Sequence, residues 1–233
     1  MVTRVKICGL TNTADVFAAV GAGASALGFN MYQPSPRYVT PMQAQLLCAA
    51  VPVFVSRVGL FVNHSRDQIL QICEEVDFDL LQFHGDESNE FCASFDRPFI
   101  KAIRVAPGDD LVAVVDRFPD SRGILLDAFT DGLYGGTGRT IDWQQIPALK
   151  QAVILAGGLD EDNVGDAIRQ ARPFAVDVSG GVERSRGVKD ADKMRRFMAA
   201  VNRTDTAPDV SLNGDGRMGN QSQVIKTDLE QNG

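Results

Sequence analysis

The chain has few positive charges, and none of them form a run. Its 233 residues include 23 Lys and Arg against 30 Asp and Glu, a formal net charge of −7. Proteins that bind nucleic acid cluster Lys and Arg where the phosphates lie. The composition therefore excludes a nucleic-acid partner, and an anionic ligand has to be held by local geometry instead of by the field of the whole molecule.

Long apolar runs and a secretory leader are also lacking. No stretch approaches the roughly 20 apolar residues that span a bilayer, and the first residues do not combine a basic segment with an apolar one. We therefore expect a cytoplasmic protein that does not contact membranes. No feature of the sequence indicates an obligate protein partner.

Cysteines are few and scattered. The four are Cys8, Cys48, Cys73 and Cys92, with no CxxC pair and no spacing suited to a metal. The sequence thus predicts neither a metal site nor a disulfide framework. Three of the cysteines fall in helical segments, where a small buried hydrophobe is the natural interpretation. Cys8 differs because it closes the first predicted strand, just before Gly9.

Eight short apolar runs recur every two to three dozen residues, separated by segments of helical period. They cover 4–10, 26–32, 57–63, 80–85, 99–105, 123–129, 153–158 and 175–181. This alternation is typical of a parallel sheet built from βαβ units. We predict an α/β protein with one (βα)8 TIM barrel over residues 1–202, and a disordered polar tail over 203–233 that has too few apolar residues to fold.

Several helix starts are marked by capping residues. Thr40 precedes a predicted helix from Pro41, and Ser65 with Gln68 forms a capping box. By the same logic Asp142 caps a helix carrying Ile146 and Leu149, and Asp160 caps one carrying Val164 and Ile168. A last helix is predicted over 189–201.

Strand alternation predicts a charged pair inside the barrel. If Cys8 points into the barrel mouth, Lys6 lies on the same face one layer below, and Asp177 lies below Ser179 in the eighth strand. An unpaired lysine in a barrel interior is costly. Because strands one and eight are neighbours in a closed barrel, we expect Lys6 and Asp177 to form an ion pair.

Three consecutive loops carry glycines where these barrels usually bind phosphate. In such barrels functional groups sit at the C-terminal strand ends, and the loops after strands seven and eight form the common phosphate site. Glycines let backbone N–H groups approach an anion closely. The predicted phosphate-binding residues are Gly136, Gly138, Gly157, Gly158, Ser179, Gly180 and Gly181.

Four side chains at other strand ends are candidates for the chemistry. Cys8 and Asp127 place a thiol and a carboxylate at one mouth. The thiol could be a base, a nucleophile or a packing group, and His84, which ends strand four, could serve a nucleophilic cysteine. Arg37 lies in a loop stiffened by two prolines and could present its guanidinium to a second anionic group.

These residues resemble the phosphoribosylanthranilate isomerase family of tryptophan biosynthesis. The similarity covers residues 3–201 in order and includes every strand end. Its segments are KICGLT at 6–11, PSPRY at 34–38, GLFVN at 59–63, LQFHGDE at 81–87, LLD at 125–127, GGTG at 135–138, AGGL at 156–159 and VDVS at 176–179.

The resemblance implies an Amadori rearrangement of N-(5-phosphoribosyl)anthranilate to 1-(2-carboxyphenylamino)-1-deoxyribulose 5-phosphate, with no metal or redox cofactor. Carried over by position, Asp127 is the general acid, Cys8 the general base and Arg37 the partner of the anthranilate carboxylate, and His84 contacts the substrate. One departure is Gly180, where the family commonly has serine. That exchange removes a hydroxyl from the predicted phosphate loop and predicts weaker phosphate binding at most.

Two alternatives stay open at this point. The first is the histidine-pathway isomerase, which performs the same rearrangement on another phosphosugar. That family has a carboxylate where this chain has Cys8, and it has a second phosphate loop where this chain has His84–Gly85–Asp86. The second alternative is a silent barrel that binds a phosphorylated ligand without converting it.

Overall fold

Eight parallel strands close into one barrel, as predicted. The computed structural model describes residues 2–106, 108–128 and 140–206. The strands follow one another around the barrel in chain order, and the last pairs with the first. They are β1 (Arg4–Cys8), β2 (Ala26–Asn30), β3 (Ser56–Phe61), β4 (Leu80–Phe83), β5 (Phe99–Val105), β6 (Gly123–Ala128), β7 (Ala152–Leu155) and β8 (Ala175–Val178).

Helices follow most of these strands and cover the outside of the barrel. They are α1 (Thr13–Ala22), α2 (Pro41–Ala49), α3 (Arg66–Glu75), α4 (Asn89–Ala93), α5 (Leu111–Val115), α6 (Val164–Ala171) and α7 (Ala191–Thr206). Two of the four predicted helix starts are confirmed. Ser65 forms the predicted capping box with Gln68, and Thr40 forms another with Gln43. No helix of the described ranges is long and apolar enough to cross a membrane.

The predicted helix after Asp142 is wrong beyond its first turn. Asp142 does cap a turn, but that turn is a 3-10 helix of three residues, Trp143–Gln145. Ile146 then has φ −73° and ψ 114°, which is extended backbone. Pro147 explains this, because its ring disfavours helical geometry in the preceding residue and it has no N–H to donate.

Two further boundaries differ from the prediction. Asp160 precedes α6 but does not cap it; its carboxylate accepts from the backbone N–H groups of Asp162 and Asn163 in the turn before the helix. The last helix runs to Thr206, so residues 203–206 of the predicted tail are helical. Residues 207–233 lie outside the described ranges, and their predicted disorder stays a prediction.

The register between β1 and β8 places the charged pair inside the barrel. Lys6 is opposite Asp177, and Val5 and Ile7, which alternate with Lys6, pack outward in the main hydrophobic core. That core lies between barrel and helices and includes the fully buried rings of Phe29, Phe61 and Phe83. The interior of the barrel therefore remains available for polar side chains near its C-terminal end.

A short hairpin follows the eighth strand and covers one side of the barrel mouth. After β8 the chain forms a single 3-10 turn, Gly180–Val182. It then forms the antiparallel pair β9 (Glu183–Ser185) and β10 (Val188–Lys189). This hairpin brings two charged side chains, Glu183 and Lys189, toward the end of β1.

Candidate active site

One cavity of about 480 Å³ opens at the C-terminal ends of the strands. This is within the usual size range of small-molecule sites. Its walls include residues from β1, β2, β4, β6 and β8 and from the loops that follow β2, β7 and β8. Among them are Cys8, Asn30, Arg37, Gln82, His84, Asp127, Gly157, Gly158, Ser179, Gly180, Gly181, Glu183 and Arg186.

Cys8 is the last residue of β1 and forms one wall of the cavity. Its partner in the register is Gly28. A Cβ at Gly28 would lie 2.7 Å from the Cys8 sulfur and 3.1 Å from Lys6 Cε. Real side-chain carbons do not come that close to such atoms, so the absence of a side chain at Gly28 creates the space that the thiol and the lysine share.

The predicted ion pair lies directly below the thiol. Lys6 Nζ donates to Asp177 Oδ1 at 2.8 Å, and both side chains are buried. Burial acts to lower the pKa of Lys6, but the charges of Asp177 and Cys8 outweigh it and hold the pKa above its ordinary value. Lys6 is therefore an ammonium in the folded protein, and the prediction is confirmed.

Arg37 is paired inside the protein. Its Nε donates to Glu183 Oε1 at 2.7 Å and its Nη2 to Oε2 at 2.9 Å, a bidentate arrangement. Burial acts to raise the pKa of Glu183, but hydrogen bonds from Arg37 and the charge of Lys189 lower it to about 2. The guanidinium is thus fixed at the cavity wall, with N–H groups left over from the pair.

Lys189 connects this carboxylate to the end of β8. Its Nζ donates to Glu183 Oε1 at 2.9 Å, to the Ser179 carbonyl at 2.9 Å and to Ser179 Oγ at 3.2 Å. Ser179 Oγ in turn donates to the carbonyl of Cys8 at 3.0 Å. The hydroxyl predicted to bind phosphate is therefore engaged in holding the loop after β8 against the end of β1.

The opposite wall carries Asp127, His84 and Gln82. His84 Nε2 lies 3.3 Å from Asp127 Oδ2, but the two groups are not aligned as a hydrogen bond. Gln82 Nε2 lies 3.2 Å from His84 Nδ1. When the amide donates there, the imidazole proton is on Nε2 and points toward the carboxylate.

Glycines bring the loops after β7 and β8 to the same end of the cavity. Gly157 has φ +83°, and a Cβ there would lie 2.7 Å from both Asp127 Oδ1 and the Ala128 nitrogen. Only glycine combines that conformation with that closeness. Gly158, Gly180 and Gly181 line the same end of the cavity. The predicted Gly136 and Gly138 lie outside the described residues.

The sequence analysis did not assign several residues of this site, among them Asn30, Gln82, Glu183, Arg186 and Lys189. Asn30, the last residue of β2, lines the cavity and could have been found from its strand-end position. Glu183 and Lys189 carried no comparable signal, because hairpin strands of three and two residues are too short to show apolar periodicity. Among the described residues no group of His, Cys, Asp and Glu side chains could hold a metal ion.

Comparison with known proteins gives a consistent result. The model of the N-(5'phosphoribosyl)anthranilate (PRA) isomerase family matches residues 5–200. N-(5'-phosphoribosyl)anthranilate isomerase of Dechloromonas aromatica is 53% identical over 206 residues, which are 88% of this chain and 99% of that protein. The Pseudomonas putida F1 enzyme of the same name is 54% identical over 199 residues, 85% of this chain and 97% of that protein.

Solved structures agree with the sequence relatives. Phosphoribosyl anthranilate isomerase from Thermotoga maritima is 38% identical with a TM-score of 0.79, covering 86% of this chain and 98% of that one. Another structure of a phosphoribosyl anthranilate isomerase is a complex with reduced 1-(o-carboxyphenylamino)-1-deoxyribulose 5-phosphate. It is 36% identical with a TM-score of 0.74, and the matched parts are again 86% and 98% of the two chains. The chain belongs to the N-(5'-phosphoribosyl)anthranilate isomerase family.

Proposed function

We propose that this protein converts N-(5-phosphoribosyl)anthranilate to 1-(2-carboxyphenylamino)-1-deoxyribulose 5-phosphate in tryptophan biosynthesis, with Asp127 as acid and Cys8 as base. The observation that carries the proposal is the placement of these two groups on opposite walls of one cavity. A rearrangement made of two proton transfers at neighbouring atoms needs an acid and a base that flank the substrate.

Asp127 acts first. It donates a proton to the furanose ring oxygen, the bond from C1 to that oxygen breaks, and the anthranilate nitrogen forms an iminium with C1. The position of Asp127 at the end of β6, against His84, supports this role. His84 contacts the sugar beside the acid and keeps the carboxylate oriented toward it.

Cys8 acts second, as the base. Its thiolate removes the proton from C2, and the electrons of the C–H bond neutralise the iminium to give an enolamine. Return of that proton to C1, with loss of the C2 hydroxyl proton to restore the acid form of Asp127, then yields the ketone, so the enzyme gains and loses no proton overall. Both steps are proton transfers and the substrate nitrogen carries the transient charge, which leaves no step for a redox cofactor.

The two anionic ends of the substrate match the two ends of the cavity. Arg37 donates its remaining N–H groups to the anthranilate carboxylate. Backbone N–H groups of the loops that contain Gly158 and Gly180 bind the phosphate, and Gly136 and Gly138 are assigned to the same role by resemblance. Binding at both ends orients C1 and C2 between the catalytic groups, and this orientation contributes to the rate.

The test is the decay of anthranilate-type fluorescence when the purified protein meets freshly made substrate, with the ketone product, an isomer of the substrate, identified by the mass of its carbonyl derivative. We expect rapid decay with wild-type protein and decay close to the buffer rate with Cys8→Ala. Substrate binding without any decay indicates a silent barrel. Conversion of the histidine-pathway aminoimidazole carboxamide ribonucleotide, with no decay of the anthranilate substrate, identifies the other isomerase.

A further inference from the structure

Five charged side chains form a buried cluster behind Cys8, and the mechanism above uses only one of them. Each is less than a tenth exposed. The cations are Lys6, Arg37 and Lys189, and the carboxylates are Asp177 and Glu183. The cluster, defined by these five residues, therefore contains one positive charge in excess.

The protonation states behind that count follow from the contacts. Burial lowers the pKa of Lys189, but its Nζ donates to three acceptors at 2.9–3.2 Å and so needs all three of its protons. Lys6 keeps its proton because Asp177 accepts from it at 2.8 Å. Glu183, with a pKa lowered to about 2, is ionised at neutral pH.

An uncompensated charge in a protein interior is unfavourable unless an anion lies beside it. Cys8 is the thiol that lies there, because the space left by Gly28 holds both its sulfur and the end of Lys6. The charge of Lys6 is also the strongest influence that acts to lower the pKa of Cys8 against its burial. The excess charge and the thiol are thus in contact.

We propose that Lys6 is a positioning residue that stabilises the Cys8 thiolate, and that Asp177 limits how much of the lysine charge the sulfur feels. The ion pair then sets how readily the Cys8 thiol ionises. Lys6 stabilises the Cys8 thiolate and Asp177 destabilises it, although the two residues stabilise each other.

Other groups also face Cys8 and bear on its titration. Burial raises the pKa of Cys8, Lys6 opposes this most strongly, Asp177 adds to it and Lys189 opposes it. The groups around the sulfur, by element, are Lys6 on β1, Arg37 and Tyr32 in the loop after β2, Asp177 on β8, Lys189 on β10, and Asp127 with His84 on the far wall. Of these, Lys6 alone shares the Gly28 space with the thiol.

The experiment is the alkylation rate of Cys8 by iodoacetamide between pH 5.5 and 10 in ligand-free protein, followed by mass spectrometry of the peptide that contains it. Only the thiolate reacts, so the rate profile reports its pKa. Burial raises the pKa of Cys48 and Cys92 to about 12, so they react slowly in the same samples.

We expect Lys6→Met to move the profile up by at least one pH unit, equivalent to a tenfold lower thiolate fraction near neutrality. Asp177→Asn moves it down. The kcat/KM profile of each variant shifts the same way, so Lys6→Met recovers activity as the pH rises. The double variant Lys6→Met/Asp177→Asn removes both charges, so no buried carboxylate is left without its partner. We expect its alkylation profile still to lie at higher pH than that of the wild type.

A matched control is available on the other side of the barrel. Lys101 and Glu87 form a second buried pair at 3.0 Å, and neither lines the cavity. Lys101→Met destabilises the fold in a comparable way but leaves the Cys8 profile in place. Shifts of the same direction in Lys6→Met and Asp177→Asn, or an equal shift in Lys101→Met, overturn the proposal.

The inference rests on the proposed role of Cys8 as base, and the two can fail separately. Alkylation needs no substrate and no turnover. Opposite profile shifts in a protein that does not isomerise the anthranilate substrate uphold the tuning and refute the function. Turnover that depends on Cys8, with alkylation profiles unchanged by the variants, does the reverse.

Discussion

The two walls of the cavity are built differently. On the Cys8 wall every charged side chain of the buried cluster has an oppositely charged partner within 3.0 Å. On the Asp127 wall three buried polar atoms have no hydrogen-bond partner among the described residues: Gln82 Oε1, His84 Nε2 and Asp127 Oδ1. On the Cys8 wall the protein itself pairs every charge, whereas on the Asp127 wall it leaves these three polar atoms without hydrogen bonds.

This difference indicates that the two walls have different tasks: one sets the charge around Cys8, and the other offers hydrogen-bonding groups to a ligand. A buried polar atom without a partner costs about 1–3 kcal/mol, so such atoms persist where something outside the fold completes them. The Asp127 wall has the donors and acceptors that a bound sugar would satisfy. The Cys8 wall instead holds a charge environment that exists before any substrate arrives.

The largest expected effects come from the two proposed catalytic groups, whose variants should also differ in stability. Cys8→Ala and Asp127→Asn each lower kcat by about a hundredfold to ten-thousandfold. Cys8→Ala also lowers the free energy of unfolding, because the buried sulfur loses its packing against Leu60 and Val62. Asp127→Asn leaves it unchanged or higher. Urea denaturation beside steady-state kinetics tests both, and equal stability changes would remove the contrast between the walls.

Next in size is the acid stability that Glu183 provides. Its folded pKa lies near 2 against an ordinary 4.5, so its contribution is present above about pH 4.5 and fades as the pH falls toward 2. At pH 7 it is on the order of 3 kcal/mol. Glu183→Gln should therefore destabilise the protein more at pH 7 than at pH 3, by urea denaturation.

The control for that measurement is Glu74→Gln, which removes the same charge from an exposed position of α3. It should leave stability at both pH values within experimental error. If the Glu183 difference were equally large at the two pH values, the loss would come from packing and not from ionisation.

A smaller effect is expected on the opposite wall from Gln82→Leu. Without the amide 3.2 Å from Nδ1, His84 loses the contact that orients its ring toward Asp127. We expect kcat to fall about tenfold with little change in KM. Because Gln82 acts through His84, the double variant Gln82→Leu/His84→Ala should be no slower than His84→Ala alone. Additive losses would contradict this.

The smallest effect concerns the loop after β8, at the end of the cavity that we propose binds phosphate. A Cβ at Gly180 would have Arg37 Nη2 as its nearest neighbour, at an ordinary 3.7 Å. Gly180→Ser should therefore fold normally and add a hydroxyl near the phosphate. We expect KM to fall by a few-fold at constant kcat. A large rise in kcat at unchanged KM would show that the loop after β8 limits the chemical step.

Sequence patterns predicted the features that follow from the alternation of residues along a strand and from the closure of the barrel. The Lys6–Asp177 pair followed from alternation in two strands and from their adjacency, and the structure confirms it. Asp142 was misread because a capping signal was weighed without Pro147 five residues later.

The remaining part of the site depends on contacts that no period encodes. The Arg37–Glu183 pair joins residues 146 positions apart through two loops. Neither its existence nor its burial could be read from spacing, because the proline-stiffened loop and the resemblance both assigned Arg37 only to an anionic group of the substrate. The partnership with Glu183 emerges only from the three-dimensional path of the hairpin after β8.

The empty space at Gly28 also constrains how this protein can evolve. The smallest possible change, to alanine, already places a carbon against both the Cys8 sulfur and Lys6. One substitution therefore disturbs the thiol and the lysine together, so the position cannot change in small steps. A descendant with different chemistry on the first strand would have to abandon the thiol or the lysine before this glycine could change.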